Sequence, residues 1–367
     1  MCQSNHRHSI LCILSPDILR NIAQNGTPAQ RAAASRALAV DNTMRAMRAA
    51  RRPDLMPAAP TVAARAAQKQ RSVFTANNAE ILPGTLVRGE GQSPSGDVAV
   101  DEAYDGLGDT YDFFFDKYAR NSIDDEGMPL QATCHFGNQY NNAFWNGEQM
   151  VFGDGDGVLF NRFTISLDVI GHELGHGVTE DEAGLLYFFQ SGALNESMSD
   201  VFGSLVRQAK LNQTADQADW LIGKGLFTSA INGVALRSMK DPGTAYDDPV
   251  IGKDPQPAHM DDFVFTYEDN GGVHINSGIP NKAFYLASTK LGGFAWERAG
   301  RIWYDALRDS QIRPTSGFRR FARVTIDHAA AMGTVEADAV REAWDEVGIS
   351  IPAPAIAPLT MRAGRGR

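Results

Sequence analysis

Cysteine is nearly absent. The 367 residues contain three, Cys2, Cys12 and Cys134, and that odd, sparse count excludes a disulfide framework. Long apolar runs are missing too, so no segment approaches the ~20 residues needed to span a bilayer. Near the start, residues 10–14 are apolar. That run is too short for the core of a signal peptide, and no small-residue cleavage site follows it. Positive charge is in deficit, with 34 Lys and Arg against 44 Asp and Glu. The deficit is uneven. Residues 1–70 hold 10 Lys and Arg against 3 Asp and Glu, which leaves 24 against 41 for residues 71–367. A basic head on an acidic body could serve as a nucleic-acid arm. Attraction between two parts of one chain explains it more simply, so neither nucleic acid nor membrane is expected as a partner.

What is present is ordinary for a globular enzyme: 43% apolar and 21% charged residues, enough for a sizeable core in two or three structural units. The stretch from Asp168 to Asp200 stands out. His172, Glu173 and His176 spell H-E-x-x-H. On a helix, residues four apart share a face, so both imidazoles point the same way. Paired imidazoles suit a borderline-soft cation such as zinc, and Glu173 can reach a water on that cation. A catalytic zinc needs a third protein ligand and one open position. Glu196 follows His176 by 20 residues, with Asp200 one helical turn further on. Gly184 and the Ser191-Gly192 pair read as a break, giving helix, turn, helix with Glu196 facing back. Asp200 would then sit behind the site and bond the free N–H of a ligand histidine, fixing its tautomer. The competing reading is a helical hairpin with core histidines. It leaves the matched spacing of two motifs unexplained.

With these motifs the chain resembles the thermolysin-like neutral proteases, zinc endopeptidases with two histidine ligands and one glutamate. Residues 140–157 (YNNAFWNGEQMVFGDGDG), 236–242 (LRSMKDP) and 269–287 (DNGGVHINSGIPNKAFYLA) resemble that family's segments in its order. The resemblance runs over about 70–350, and a short basic N-terminal segment resembles the protealysin-like type. It implies an α+β fold with a β-rich N-terminal half, an α-helical C-terminal half and the zinc cleft between them. It also implies a division into a propeptide and linker (1–70), a catalytic subdomain (71–205), a helical subdomain (206–352) and a disordered tail (353–367). The propeptide would be removed autocatalytically somewhere between about 52 and 72.

By resemblance, Arg237 holds the substrate carbonyl, while His274, oriented by Asp269, and Tyr187 face the developing oxyanion. Asn142 and Ala143 lie on the edge strand that pairs with substrate backbone. Phe160, Val169, Ile222 and Leu236 match the pocket for the residue after the cut, implying a preference for bulky apolar side chains there. Calcium is doubtful. Asp168 matches a ligand of a double calcium site, but three expected acidic partners are Arg207, Leu221 and Lys224, leaving only Asp219. Cations repel a divalent ion and leucine offers no oxygen. Arg207 or Lys224 is expected to pair with Asp168 instead, and Val234 spoils a further calcium loop. Cys12 has two readings: a thiolate closing the open zinc position, or a small buried apolar residue; the second is favoured.

Peptides, proteins and the chain's own propeptide are the expected partners, with a dedicated protein inhibitor as a further candidate. The family resemblance implies secretion, and the lack of a signal-peptide pattern leaves a cytoplasmic location as the alternative. An inactive binding module is disfavoured because every ligand and Glu173 are present. An aminopeptidase of related chemistry is disfavoured because no motif for a free amino terminus precedes H-E-x-x-H. After residue 200 the chain is expected to be mostly helical, ending in four helices between about 276 and 348.

Overall fold

The computed structural model describes residues 11–50 and 68–352, with the side chains of 44–50 excepted. Most of the expected linker and maturation region lies outside the described residues, as do Cys2 and the tail 353–367.

The chain starts with a short strand, β1 (Leu11–Cys12), then α1 (Pro16–Asn25) and α2 (Pro28–Ala50). Ser15 starts α1: its hydroxyl accepts the Asp17 N–H (3.3 Å), and Pro16 occupies the first turn, where its missing N–H costs nothing. Leu19 and Ile22 are fully buried, each contributing on the order of 1.5–3 kcal/mol to docking.

The N-terminal half then lays down β2 (Arg71–Thr75), β3 (Thr85–Gly89), α3 (Val98–Tyr118), β4 (Leu130–Cys134), β5 (Ala143–Trp145) and β6 (Met150–Phe152). These strands and β1 form one six-stranded sheet in the order β1-β5-β6-β4-β2-β3. β1 pairs antiparallel with β5, Leu11 opposite Trp145 and Cys12 opposite Phe144. The N-terminal segment therefore supplies the outermost strand, and β5 would be the sheet's edge without it.

Two long helices follow, α4 (Leu167–Glu182) and α5 (Phe189–Leu211). Every residue from Asp168 to Thr179 is buried, so α4 is a central helix with no solvent face. The two helices approach closely because glycines line the contact. A Cβ on Gly203 would lie 2.2 Å from the Asp168 carbonyl oxygen, and one on Gly171 would lie 3.0 Å from the Gly203 Cα. That closeness lets side chains of α5 reach those of α4. The break between the helices is shorter than expected. It covers residues 183–188, with Gly184 at φ +55°, while Ser191 and Gly192 lie inside the first turn of α5.

The stretch after α5 corrects a second expectation. Residues 213–268 are not helical but form turns, one short 3₁₀ turn and two-residue strands, among them β7 (Leu221–Ile222) and β8 (Arg237–Ser238). Glycines and prolines, such as Gly223, Gly225, Pro242, Gly243, Pro255 and Pro257, recur too often for a helix to propagate. Helices resume with α6 (Asp269–Asn276), α7 (Gly278–Leu291), α8 (Ala299–Leu307), α9 (Phe318–Met332) and α10 (Thr334–Glu346). The architecture is thus α+β, with the sheet in the N-terminal part and a helical C-terminal part. α5 runs unbroken through residue 205, so a division placed there cuts a helix.

Candidate active site

α4 presents His172 and His176 on one face, with ring centroids 4.6 Å apart. Glu196 comes in from α5: its Oε2 lies 3.6 Å from His172 Nε2, and its Oε1 lies 3.4 Å from His176 Nε2. These three are the group among the described residues able to hold a metal, with donor atoms within 4.8 Å of one another; Cys12 is not in it. His172 Nε2, His176 Nε2 and Glu196 Oε2 are buried without hydrogen-bond partners. Three orphaned donors of this kind in one place would be costly unless a cation takes them up. Two imidazoles and a carboxylate are the donor set that zinc favours.

Both rings are fixed from behind. His172 Nδ1–H donates to Asp200 Oδ1 (2.7 Å), and His176 Nδ1–H donates to Asn195 Oδ1 (2.7 Å), with Ser199 Oγ 2.8 Å away. Each Nε2 is thereby left as a lone pair aimed into the site. Asp200 is fully committed. It also accepts two bonds from Arg237, from Nε and Nη2 (2.8 Å each), and one from Asn281 Nδ2 (2.8 Å). Burial alone would raise its pKa, but the Arg237 guanidinium and His172 outweigh that and hold it below the usual carboxylate range. Burial depresses the His176 pKa, and His172 beside it adds to the effect. Glu173 is fully buried; burial, then the Glu196 charge, pushes its carboxyl well above the ordinary value. Its Oε2 accepts the Trp145 N–H (2.9 Å), and the Ile13 backbone N–H adjoins it and offsets part of that rise.

The opposite wall comes from α6. Asp269, Asn270, Gly271 and Gly272 all have left-handed φ, between +51° and +86°, a run that only Gly, Asn and Asp tolerate well. This coil folds Asp269 under the helix, where its carboxylate accepts the His274 backbone N–H (2.8 Å) and lies 2.6 Å from His274 Nδ1. Burial would lower the His274 pKa, but Asp269 and Glu196 overcome it and raise it to about 9. Tyr187 Oη donates to Glu196 and lies 3.3 Å from His274 Nε2. Its own pKa is driven up by burial, then by the Glu196 charge.

An extended chain lies across these groups, and it is the protein's own N-terminal segment. The Ile13 N–H donates to the Ala143 carbonyl (3.2 Å), and the Leu14 N–H donates to Asn142 Oδ1 (3.2 Å). Arg237 Nη1 donates to the Ile13 carbonyl (2.8 Å), and His274 Nε2 lies 2.8 Å from the Cys12 carbonyl oxygen. The arrangement brings together the polar residues that the sequence assigned to the metal, the chemistry and the substrate chain, whereas Asp168, Arg207, Asp219 and Lys224 lie apart. Of the four apolar pocket candidates, Leu236 lines the cavity beside Ile13, Arg237 and His274. Phe160, Val169 and Ile222 are fully buried and do not line it, although Ile222 pairs with Arg237 across β7 and β8.

Several working residues escaped the sequence reading. Asn195 and Ser199 sit in the N-E-x-x-S-D motif around Glu196 but were given no role, and Asn281 was not singled out; all three orient other groups. Asp41, on α2, accepts from Tyr140 Oη (2.5 Å) and from Asn142 Nδ2 (3.1 Å) while buried. Its signal was available: Asp41 is the sole acidic residue between Asp17 and Asp54. Asp41→Ala removes bonds to a buried charge, each worth roughly 1.5–3 kcal/mol. Docking of the N-terminal segment should weaken about tenfold or more, read as faster amide hydrogen exchange over residues 11–25 of the precursor.

Asp168 is met by backbone, hydroxyl and cationic groups. Asp168 Oδ1 accepts from Gly223 N–H (2.8 Å) and Ser166 Oγ (2.9 Å), and Arg207 Nη1 lies 3.6 Å from its Oδ2. Arg207 also grips Asp219 with two bonds (2.8 and 2.9 Å), and Lys224 reaches Asp219 (3.0 Å) rather than Asp168.

Comparison with known proteins places this geometry among relatives. Residues 40–180 match the model of the thermolysin metallopeptidase catalytic domain, and 183–349 match that of its alpha-helical domain. The chain is 55% identical over 343 residues to an extracellular metalloprotease of Pectobacterium carotovorum, covering 93% of this chain and 97% of that one. It is 57% identical over 284 residues to protease PrtS of a Photorhabdus species, covering 77% and 76%. Among solved structures it is similar to the precursor of protealysin, a metalloproteinase from Serratia proteamaculans. The TM-score is 0.84 at 54% identity, over 93% of this chain and all of that one. No helix among the described residues is long and apolar enough to cross a membrane.

Proposed function

Because the chain belongs to the thermolysin metallopeptidase family, and is accordingly a zinc endopeptidase made as a precursor with its own propeptide, we propose the following division of labour among its residues. His172, His176 and Glu196 hold the metal; their orphaned, converging donor atoms are the observation that carries the reading. Zinc bound there lowers the pKa of a water toward neutrality and polarises a carbonyl. Glu173 takes the attacking water's proton and later delivers it to the leaving amine, a task that suits a carboxyl whose pKa burial has raised. His274, held by Asp269, and Tyr187 donate to the oxygen on which charge develops. Arg237 fixes the carbonyl one residue beyond the cut. Asn142 and Ala143 take the substrate main chain as an added strand, which satisfies backbone groups whatever the sequence. Water is the nucleophile, so no acyl-enzyme forms.

Leu236 makes the pocket after the cut apolar. Peptide-library profiling should return Leu, Ile or Phe at that position; acidic or basic residues there would overturn the assignment. Internally quenched peptides should be cut while amino-terminal substrates are not, the reverse of an aminopeptidase.

Calcium has no place at Asp168 in this reading, because a guanidinium and an ammonium already hold Asp219, the one acidic partner left. Added calcium should leave the Tm unchanged, and a rise of several degrees would reject the idea. Secretion is part of the same proposal, supported by the extracellular designation of the Pectobacterium relative. A dedicated inhibitor would have to take the β5 edge that β1 now covers.

A further inference from the structure

We propose that the Cys12–Ile13 peptide bond is itself a processing site, cut within the same molecule before any other. This rests on the catalytic roles just assigned. The register carries it. A chain bound for cleavage must place one carbonyl beside the oxyanion donors, the next residue's N–H beside the general base, and the next carbonyl on the arginine. Among the described residues, the N-terminal segment does this at one bond. The Cys12 carbonyl oxygen is 2.8 Å from His274 Nε2. The Ile13 N–H donates to the Ala143 carbonyl (3.2 Å) and adjoins the Glu173 carboxyl. The Ile13 carbonyl accepts from Arg237 Nη1 (2.8 Å), and the Leu14 N–H donates to Asn142 Oδ1. Strand polarity agrees, since β1 runs antiparallel to β5. The residue after the bond is a fully buried isoleucine, the apolar type its pocket favours.

Occupancy gives the order of events. β1 fills the groove along β5, so the bond already seated there is the first that a lone molecule can cut. The reaction is a hydrolysis. The water oxygen bonds to the Cys12 carbonyl carbon, the C–N bond breaks, and Glu173 passes the water's proton to the Ile13 nitrogen. Cys12 becomes a new C-terminus and Ile13 a new N-terminus. Residues 13–50 stay docked through contacts the cut does not touch, including Asn21 Nδ2 to the Ile251 carbonyl (3.0 Å) and Asp41 to Tyr140 and Asn142. The clip frees the Met1–Cys12 side and with it the β1–β5 pairing.

The test follows intact mass and N-terminal sequence of the purified full-length precursor after zinc is added. A species beginning at Ile13 should appear first, at a rate that does not change on dilution, and Cys12→Ala should give the same cut with the corresponding fragment mass. Glu173→Gln should show neither cut, while its residue 13 and 14 amides remain protected from hydrogen exchange, which reads docking without turnover. Processing in the 52–72 region with Cys12–Ile13 intact throughout would overturn the proposal, as would a rate that falls on dilution. Activity of the fully processed enzyme on internally quenched peptides is read in the same samples. Loss of that activity would count against the peptidase roles, whereas normal activity with an intact 12–13 bond would count against this inference alone.

Discussion

Glu173→Gln yields a precursor that binds zinc with wild-type stoichiometry and cleaves neither itself nor a peptide. The expected fall in kcat is at least about 10²–10⁴-fold, the usual worth of a positioned general base. Glutamine keeps the shape and can still face the Trp145 N–H, whose bond to Glu173 Oε2 is 2.9 Å, but it cannot accept a proton. Glu173 is not one of the three metal-facing donors, so metal analysis and activity should separate cleanly. A variant that keeps more than about a tenth of the wild-type kcat would remove Glu173 from the proton-transfer role.

Arg237→Met has the largest expected effect on stability. The guanidinium and Asp200 are both buried and joined by two bonds of 2.8 Å. Methionine leaves the Asp200 charge in the interior with only His172 and Asn281. Breaking a buried pair from one side typically costs about 3–5 kcal/mol, which for a chain of this size is a Tm drop of several degrees or more. The double variant Arg237→Met, Asp200→Asn should regain part of that loss, because the uncompensated charge is gone. The single variant should also loosen the N-terminal segment, since Arg237 Nη1 holds the Ile13 carbonyl. Its kcat/KM on peptides should fall for the same reason. A Tm within about 1 °C of wild type would mean that the pair contributes little to folding.

Local signals were legible where chemistry or periodicity is local. H-E-x-x-H places two rings on one helix face in any context, and Ser15-Pro16-Asp17 starts α1 as its caps require. The apolar spacing of the last four helices was close to the observed ends, Gly278 to Glu346. The region 213–268 was misread as helical because the family pattern marks its functional residues without describing the coil between them. Its glycines and prolines were the better guide. The break before α5 was placed too late for a related reason: Ser191 and Gly192 look like turn residues, but the Ser191 hydroxyl bonds back to the Leu186 and Phe188 carbonyls (2.8 Å each) inside the first turn.

Along the chain, residue types and spacing were enough to single out His172, His176, Glu196 and Glu173, and the basic head against an acidic body. They could do so because helix geometry and ligand chemistry act within a few residues. Only the tertiary packing decided what those residues face. Close glycine contacts between α4 and α5 bring Glu196 to the histidines. A left-handed coil turns Asp269 under His274, and a segment more than a hundred residues away lies along β5 with its Cys12–Ile13 bond at the centre of the site. Contacts of that range are set by how whole elements pack, and no local pattern encodes them.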